Sequence, residues 1–270
     1  MGKFLGYTNK PVITAGGKFL KWGTQLVQDP NFILLIDTEQ PGSIGNNTQF
    51  AYYAEGTYTV EYDGKIEEKT GAQTLQFDAP GVYQVKFRGG MTRFGMIYDV
   101  FNVYDPLKIM ELQQWGTIEW LNMFLMFSGC QNMVGTYTDV PNTSNVTYMS
   151  YMFENASSFN HPLNFDTSNV MDMEAMFESA SSFNQPLNFD TSNVTNMAYM
   201  FESALLFNQP LNFDTSSVTN MEAMFAGASL FNQDLSGWCV PLIGSPPDNF
   251  DVGATAWTLP NSRPIWGTCP

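Results

Sequence analysis

Asp166, Asp190 and Asp214 recur every 24 residues, and carboxylates repeated at one interval can do two kinds of chemistry. If their segments stack at the ~4.8 Å of neighbouring strands, they line up as a column of oxygens able to hold Ca²⁺. Alternatively, each accepts hydrogen bonds from the N–H groups of the next two residues in an Asx turn. We read them as Asx turns, with the calcium ladder as the alternative. The chain has no Asp-x-Asp-x-Asp-Gly loop and no Asp-rich nonapeptide, so no metal is assigned. Asn160, Asn184, Asn208 and Asn232 keep the same interval and form an amide ladder, expected to satisfy backbone groups of neighbouring turns.

Other chemistry-bearing residues point away from catalysis. His161 is the only histidine and stands where later copies carry Gln185 and Gln209. It has no Gly-x-Ser-x-Gly turn, phosphate loop or zinc spacing beside it, so no catalytic residue and no cofactor is assigned. The 16 methionines could suggest a soft-metal site. They recur at apolar positions, where an unbranched thioether fills gaps between stacked turns. Cys239 and Cys269 bracket a Trp-rich segment; a disulfide between them would stabilise it by ~3 kcal/mol, and its formation depends on compartment. Cys130 reads as a buried free thiol.

These residues are positioned by a repeat. Val170, Met173, Met176, Phe177, Ala180, Phe183, Asn184, Pro186, Leu187 and Asp190 return as Val194, Met197, Met200, Phe201, Ala204, Phe207, Asn208, Pro210, Leu211 and Asp214. An incomplete earlier copy carries Phe153, a last one carries Phe225, and Met123, Met126 and Phe127 form a degenerate first turn. Such a period means one supersecondary unit stacked on itself, here in roughly five turns. Val194, Met197, Phe201 and Ala204 fall at i, i+3, i+7 and i+10, which predicts a short helix capped by Thr191, Ser192, Asn193 or Thr195. Asn208–Phe213 predicts a turn and a small strand. The expected fold is therefore α+β, mainly β, with a solenoid of helix-turn-strand units.

Before about residue 107 the pattern changes. Phe32–Asp37, Thr57–Tyr62, Thr74–Phe77, Val82–Phe87 and Met96–Tyr104 are β-branched and aromatic, separated by turn pairs such as Asp63-Gly64 and Pro80-Gly81. They predict a small antiparallel sandwich. The expected organisation is an N-terminal docking segment over 1–28, a β-sandwich over 29–106, the repeat solenoid over 107–235 and an atypical C-terminal cap over 236–270.

Charge divides the same way. Met1–Lys108 holds ten Lys or Arg against eleven Asp or Glu, whereas Ile109–Ser262 holds fifteen acidic residues and no Lys or Arg. Such a surface repels a phosphate backbone, which excludes nucleic acid as a partner. No apolar run approaches the ~20 residues needed to span a bilayer, so no membrane insertion is expected. Met1–Tyr7 is followed by polar residues and Pro11 and does not read as a secretory leader.

Asn193–Phe201 and Phe207–Leu211 resemble units of the BspA-like family of leucine-rich-repeat-related surface proteins. Gln114–Trp120, Phe231–Cys239 and Trp266–Pro270 look like the ends of the same arrays. The sandwich is similar to PKD-like domains through Gly56–Val60 and Pro80–Val85, departing from them at Glu61-Tyr62-Asp63-Gly64. The first resemblance implies adhesion and surface recognition without enzymatic activity. The resulting expectation is a phage virion appendage or decoration protein. Its N-terminal segment over 1–28, which holds Lys3, Lys10, Lys18 and Lys21 and no acidic residue, would hold other virion proteins, its acidic solenoid would contact a host-surface protein or glycan, and its oligomer, if it forms one, would be a homo-trimer. The alternative is a bacterial cell-surface or secreted adhesin anchored to envelope components. Among positions that vary between units, Tyr151, Tyr199, Leu205 and Leu206 are the candidate contact residues, because apolar side chains on a solvated rim can anchor a partner.

Overall fold

A computed structural model describes residues 20–22, 25–27, 29–42, 47–96 and 104–270. The docking segment expected over 1–28 lies outside the described residues, except for a backbone hairpin of β1 (Leu20–Trp22) and β2 (Gln25–Val27). Residues 97–103 of the expected strand Met96–Tyr104 also lie outside them.

Alternating apolar residues build the rest of the N-terminal half. The strands are β3 (Phe32–Asp37), β4 (Gln49–Glu55), β5 (Thr57–Tyr62), β6 (Lys65–Thr70), β7 (Gln73–Gln76), β8 (Val82–Gly89), β9 (Arg93–Gly95), β10 (Ile109–Gln114) and β11 (Val134–Gly135). One sheet runs β11-β10-β3-β8-β5-β6, and the other β7-β4-β9. Phe32 and Phe87 of the first sheet meet Tyr52 and Phe94 of the second, with the Tyr52 and Phe94 ring centroids 5.2 and 5.6 Å from Phe87. The β5–β6 hairpin turns on Asp63 and Gly64, both at positive φ (45° and 72°), the pairing that a two-residue turn between twisted strands requires. Lys108 and Asp105 form a fully buried ion pair (3.4 Å). Asp105 also accepts the Ala51 N–H, and Lys108 donates to the Gln49 carbonyl, so both charges are tied to β4.

The repeats correct the sequence expectation. Among the described residues there is no α-helix, and beyond β11 the chain forms turns joined by isolated parallel bridges. The helix-turn-strand solenoid is therefore replaced by stacked turns, and the backbone hydrogen bonds give the reason. Within one unit, Met176 and Glu178 donate N–H to the carbonyls of Met173 and Ala175, three residues back. The intervening residues turn outward: Ala175 donates to Ala198, Phe177 to Met200 and Ser179 to Glu202, all in the next unit. An α-helix needs every N–H to point back four residues; here every second one is given to the neighbour. Two left-handed residues per unit allow this, as at Tyr151 and Asn155, Ala175 and Ser179, and Tyr199 and Ser203.

Burial follows from the same register. Phe153, Phe177, Phe201 and Phe225 stack with centroids 5.6–5.8 Å apart, and Phe159, Phe183, Phe207 and Phe231 form a second column at 6.0–6.2 Å. The periodic methionines between them are buried. At the far end Trp238 and Trp257 are buried, and Cys239 and Cys269 are joined by a disulfide. Cys130 is free and buried, and burial pushes its thiol well above the usual range. The buried apolar residues form one continuous core from Phe32 to Trp257.

Candidate recognition face

Three polar columns are occupied by the fold itself. Asp166, Asp190 and Asp214 each accept the N–H and hydroxyl of the serine two residues on, at 3.0–3.1 and 2.6–2.7 Å. The serine hydroxyl and N–H hold all three carboxyls below the usual aspartate range. Their geometry is that of Asx turns, and among the described residues no group of three His, Cys, Asp or Glu is arranged to hold a metal ion. In the amide ladder, the side-chain oxygens of Asn160, Asn184 and Asn208 each accept the N–H of the next Asn at 2.9–3.0 Å. They also accept the side-chain amides of Gln185, Gln209 and Gln233; Asn232 accepts from Thr258 in the cap. The third column escaped sequence reading. Buried Thr143, Thr167 and Thr191 donate their hydroxyls to the carbonyls of Asp166, Asp190 and Asp214, and Thr215 to that of Cys239. Thr191, assigned as a helix cap, is thus a rung between units.

His161 departs from the glutamine pattern because its neighbour does. Its ring packs against Tyr137 (centroids 4.3 Å apart), and Nε2 lies 2.9 Å from the Tyr137 carbonyl oxygen. The position above it must be glycine: a Cβ on Gly135 would lie 2.6 Å from the His161 Cβ.

The variable positions build the face of greatest interest. Tyr151 and Tyr199 are half-buried rather than exposed. The Tyr151 hydroxyl donates to Glu174 Oε1, so this tyrosine crosses to a glutamate one unit on. The Glu222 carboxylate, also one unit on, pushes the Tyr199 phenol up to about 12. Ala175 and Ala198, which also stand at positions that vary between units, are buried at 0 and 1% exposure. The signal was in the sequence: the paired positions read Ser150-Tyr151, Glu174-Ala175, Ala198-Tyr199 and Glu222-Ala223, a large residue beside a small one in alternate order. Asn196 donates to the other oxygen of Glu174, fixing that carboxylate. Leu205, Leu206 and Leu230 are 44, 46 and 48% exposed. Glu154, Glu178 and Glu202, again 24 residues apart, flank the tyrosines and were also missed in sequence. Burial, then the charges of Glu154, Glu202 and Glu174, push the Glu178 carboxyl up to about 7.

A sheet pair continued by stacked 24-residue turns that present one regular acidic and aromatic face defines a repeat protein. The chain belongs to the family described as "Mycoplasma protein of unknown function, DUF285", whose two overlapping matches cover residues 96–188 and 163–252, more than half its length. No curated protein and no solved structure matches it. No helix among the described residues is long and apolar enough to cross a membrane.

Proposed function

We propose that this protein is a non-enzymatic surface-recognition protein whose stacked turns present the Tyr151, Tyr199, Leu205 and Leu206 face to a host-surface protein or glycan. The observation that carries the reading is the rigid placement of half-apolar anchors on that face. Tyr151 is fixed by its bond to Glu174, which Asn196 also holds, and Leu205 and Leu206 on the same array stand about half exposed. Pre-set aromatic and apolar side chains bind with little loss of conformational freedom. The polar atoms that catalysis would draw on are already engaged: the aspartates hold serines and His161 sits on a carbonyl. The resemblance to BspA-like surface proteins and, in the facing sheets, to PKD-like domains supports the same class.

We place the protein on a virion as an appendage held through its N-terminal region. The division of charge supports this, with every cation but Arg263 lying before residue 109 and an acidic array projecting from them. The second reading, a bacterial cell-surface adhesin, is favoured by the family description, which names a bacterium. Mass spectrometry and electron microscopy of the source material separate the two: stoichiometric copies on particles support the first, and recovery with cell envelopes alone supports the second. For the face itself, a Tyr199→Ala, Leu205→Ser, Leu206→Ser variant with unchanged melting is expected to lose at least tenfold in binding to the recognised surface. Unchanged binding would move the contact elsewhere.

A further inference from the structure

Glu154, Glu178 and Glu202 are held in register by the backbone. The N–H of Asn155 donates to the Glu178 carbonyl and that of Ser179 to the Glu202 carbonyl, both at 2.7 Å. The three side chains therefore leave successive turns from equivalent points, and each is half-buried. Like charges directly opposite one another on paired segments are destabilising, and partial burial removes the water that would screen them.

The surroundings sharpen the conflict at the middle residue. Glu154 is supported by the Ser128 hydroxyl (2.6 Å) and the Asn155 amide (3.1 Å), and Glu174 by Tyr151 and Asn196. Among the described residues no donor reaches the Glu178 side chain. The charged and titratable groups facing it are Glu154 from the preceding turn, Glu202 from the following one, Glu174 from its own turn, and the Tyr151 phenol. No Lys or Arg occurs between Ile109 and Ser262 to offset them.

We propose that Glu154, Glu178 and Glu202 form a proton-operated latch on the turn array: ionised together they destabilise the stack, and a proton taken up at the middle carboxylate relieves their repulsion. The sign follows from linkage. Glu178 titrates near 7 in the fold and at its ordinary 4.5 when unfolded. The folded state thus binds the extra proton between those values, and stability falls as pH rises through the window. Glutamine at 178 mimics the protonated form.

The test is thermal melting of the full chain at low ionic strength from pH 5 to 8. The wild-type midpoint is expected to fall by roughly 3–6 °C. Glu178→Gln should flatten most of that slope and melt above wild type at pH 8, whereas Glu119→Gln, at an exposed position outside the column, should keep the wild-type slope. A flat wild-type profile, or a Glu178→Gln slope parallel to wild type, overturns the proposal. Should that variant not fold, the ¹³C titration of the Glu178 carboxyl in the wild-type protein decides. A midpoint near 7 sustains the latch, and one near 4.5 removes it.

Discussion

The left-handed positions show how single residues set the shape of the array. Ser179 and Ser203 sit at φ 55°, where Gly129 and Gly227 stand in the outer turns at 75° and 69°. A non-glycine residue in that region costs roughly 1–2 kcal/mol, offset in part because glycine loses more freedom on folding. Ser203→Gly should therefore raise stability by a few tenths to about 1 kcal/mol. Ser203→Val, branched at Cβ, should lower it by more than about 1 kcal/mol; denaturant melting checks both. These positions were not legible in the sequence, because serine, asparagine and tyrosine occupy most of them. Only the glycines at the outer turns hint at what the inner ones must do. The aspartate column was legible as a choice between two chemistries, and Ser168, Ser192 and Ser216 decide it by supplying both donors.

At the scale of the element, the strands that could be read were those with an alternating or continuous apolar pattern. β5 and β8 alternate plainly and β3 is a short apolar run inside the sheet, whereas β6, Lys-Ile-Glu-Glu-Lys-Thr, lies at the outer edge with Ile66 63% exposed and carries no apolar signal. The period of the repeat was legible and its conformation was not. A spacing of i, i+3, i+7 and i+10 marks residues on one side of a turn that bonds three residues back as well as on a helix. What separates them is the destination of the alternate N–H groups, which lies one unit away in sequence. The alternation of Tyr and Glu gives the array a two-unit superperiod, and this makes a prediction about length. Deleting Val170–Ser217, two units, joins Asn169 to Val218 and sets Tyr151 against Glu222 as it now meets Glu174. That protein should fold cooperatively with reduced stability. Deleting Val170–Leu205, one and a half units, joins Asn169 to Leu206, puts core positions against solvent and should abolish cooperative melting; equal behaviour of the two deletions would contradict the register.

Across the whole molecule, the sheets and the turns share one core. β10 lies beside β3 in the N-terminal sheet and pairs in parallel with β11, at the start of the turns. Asp139, from the turns, receives the N–H groups of Trp115 and Gly116 at 2.8–3.2 Å. Stability should therefore pass from the sheets into the first turns rather than stop at a linker, while the far end is closed by tryptophans and a disulfide. The acidic face, the half-exposed leucines and the glutamate latch all depend on one arrangement, in which alternate amides of each turn bond to the next. Through-hydrogen-bond NMR couplings test it most directly. Couplings are expected from the Tyr199 nitrogen to the Glu222 carbonyl carbon and from the Phe201 nitrogen to that of Met224. A coupling from Phe201 back to Met197, the signature of a helix, would contradict that arrangement.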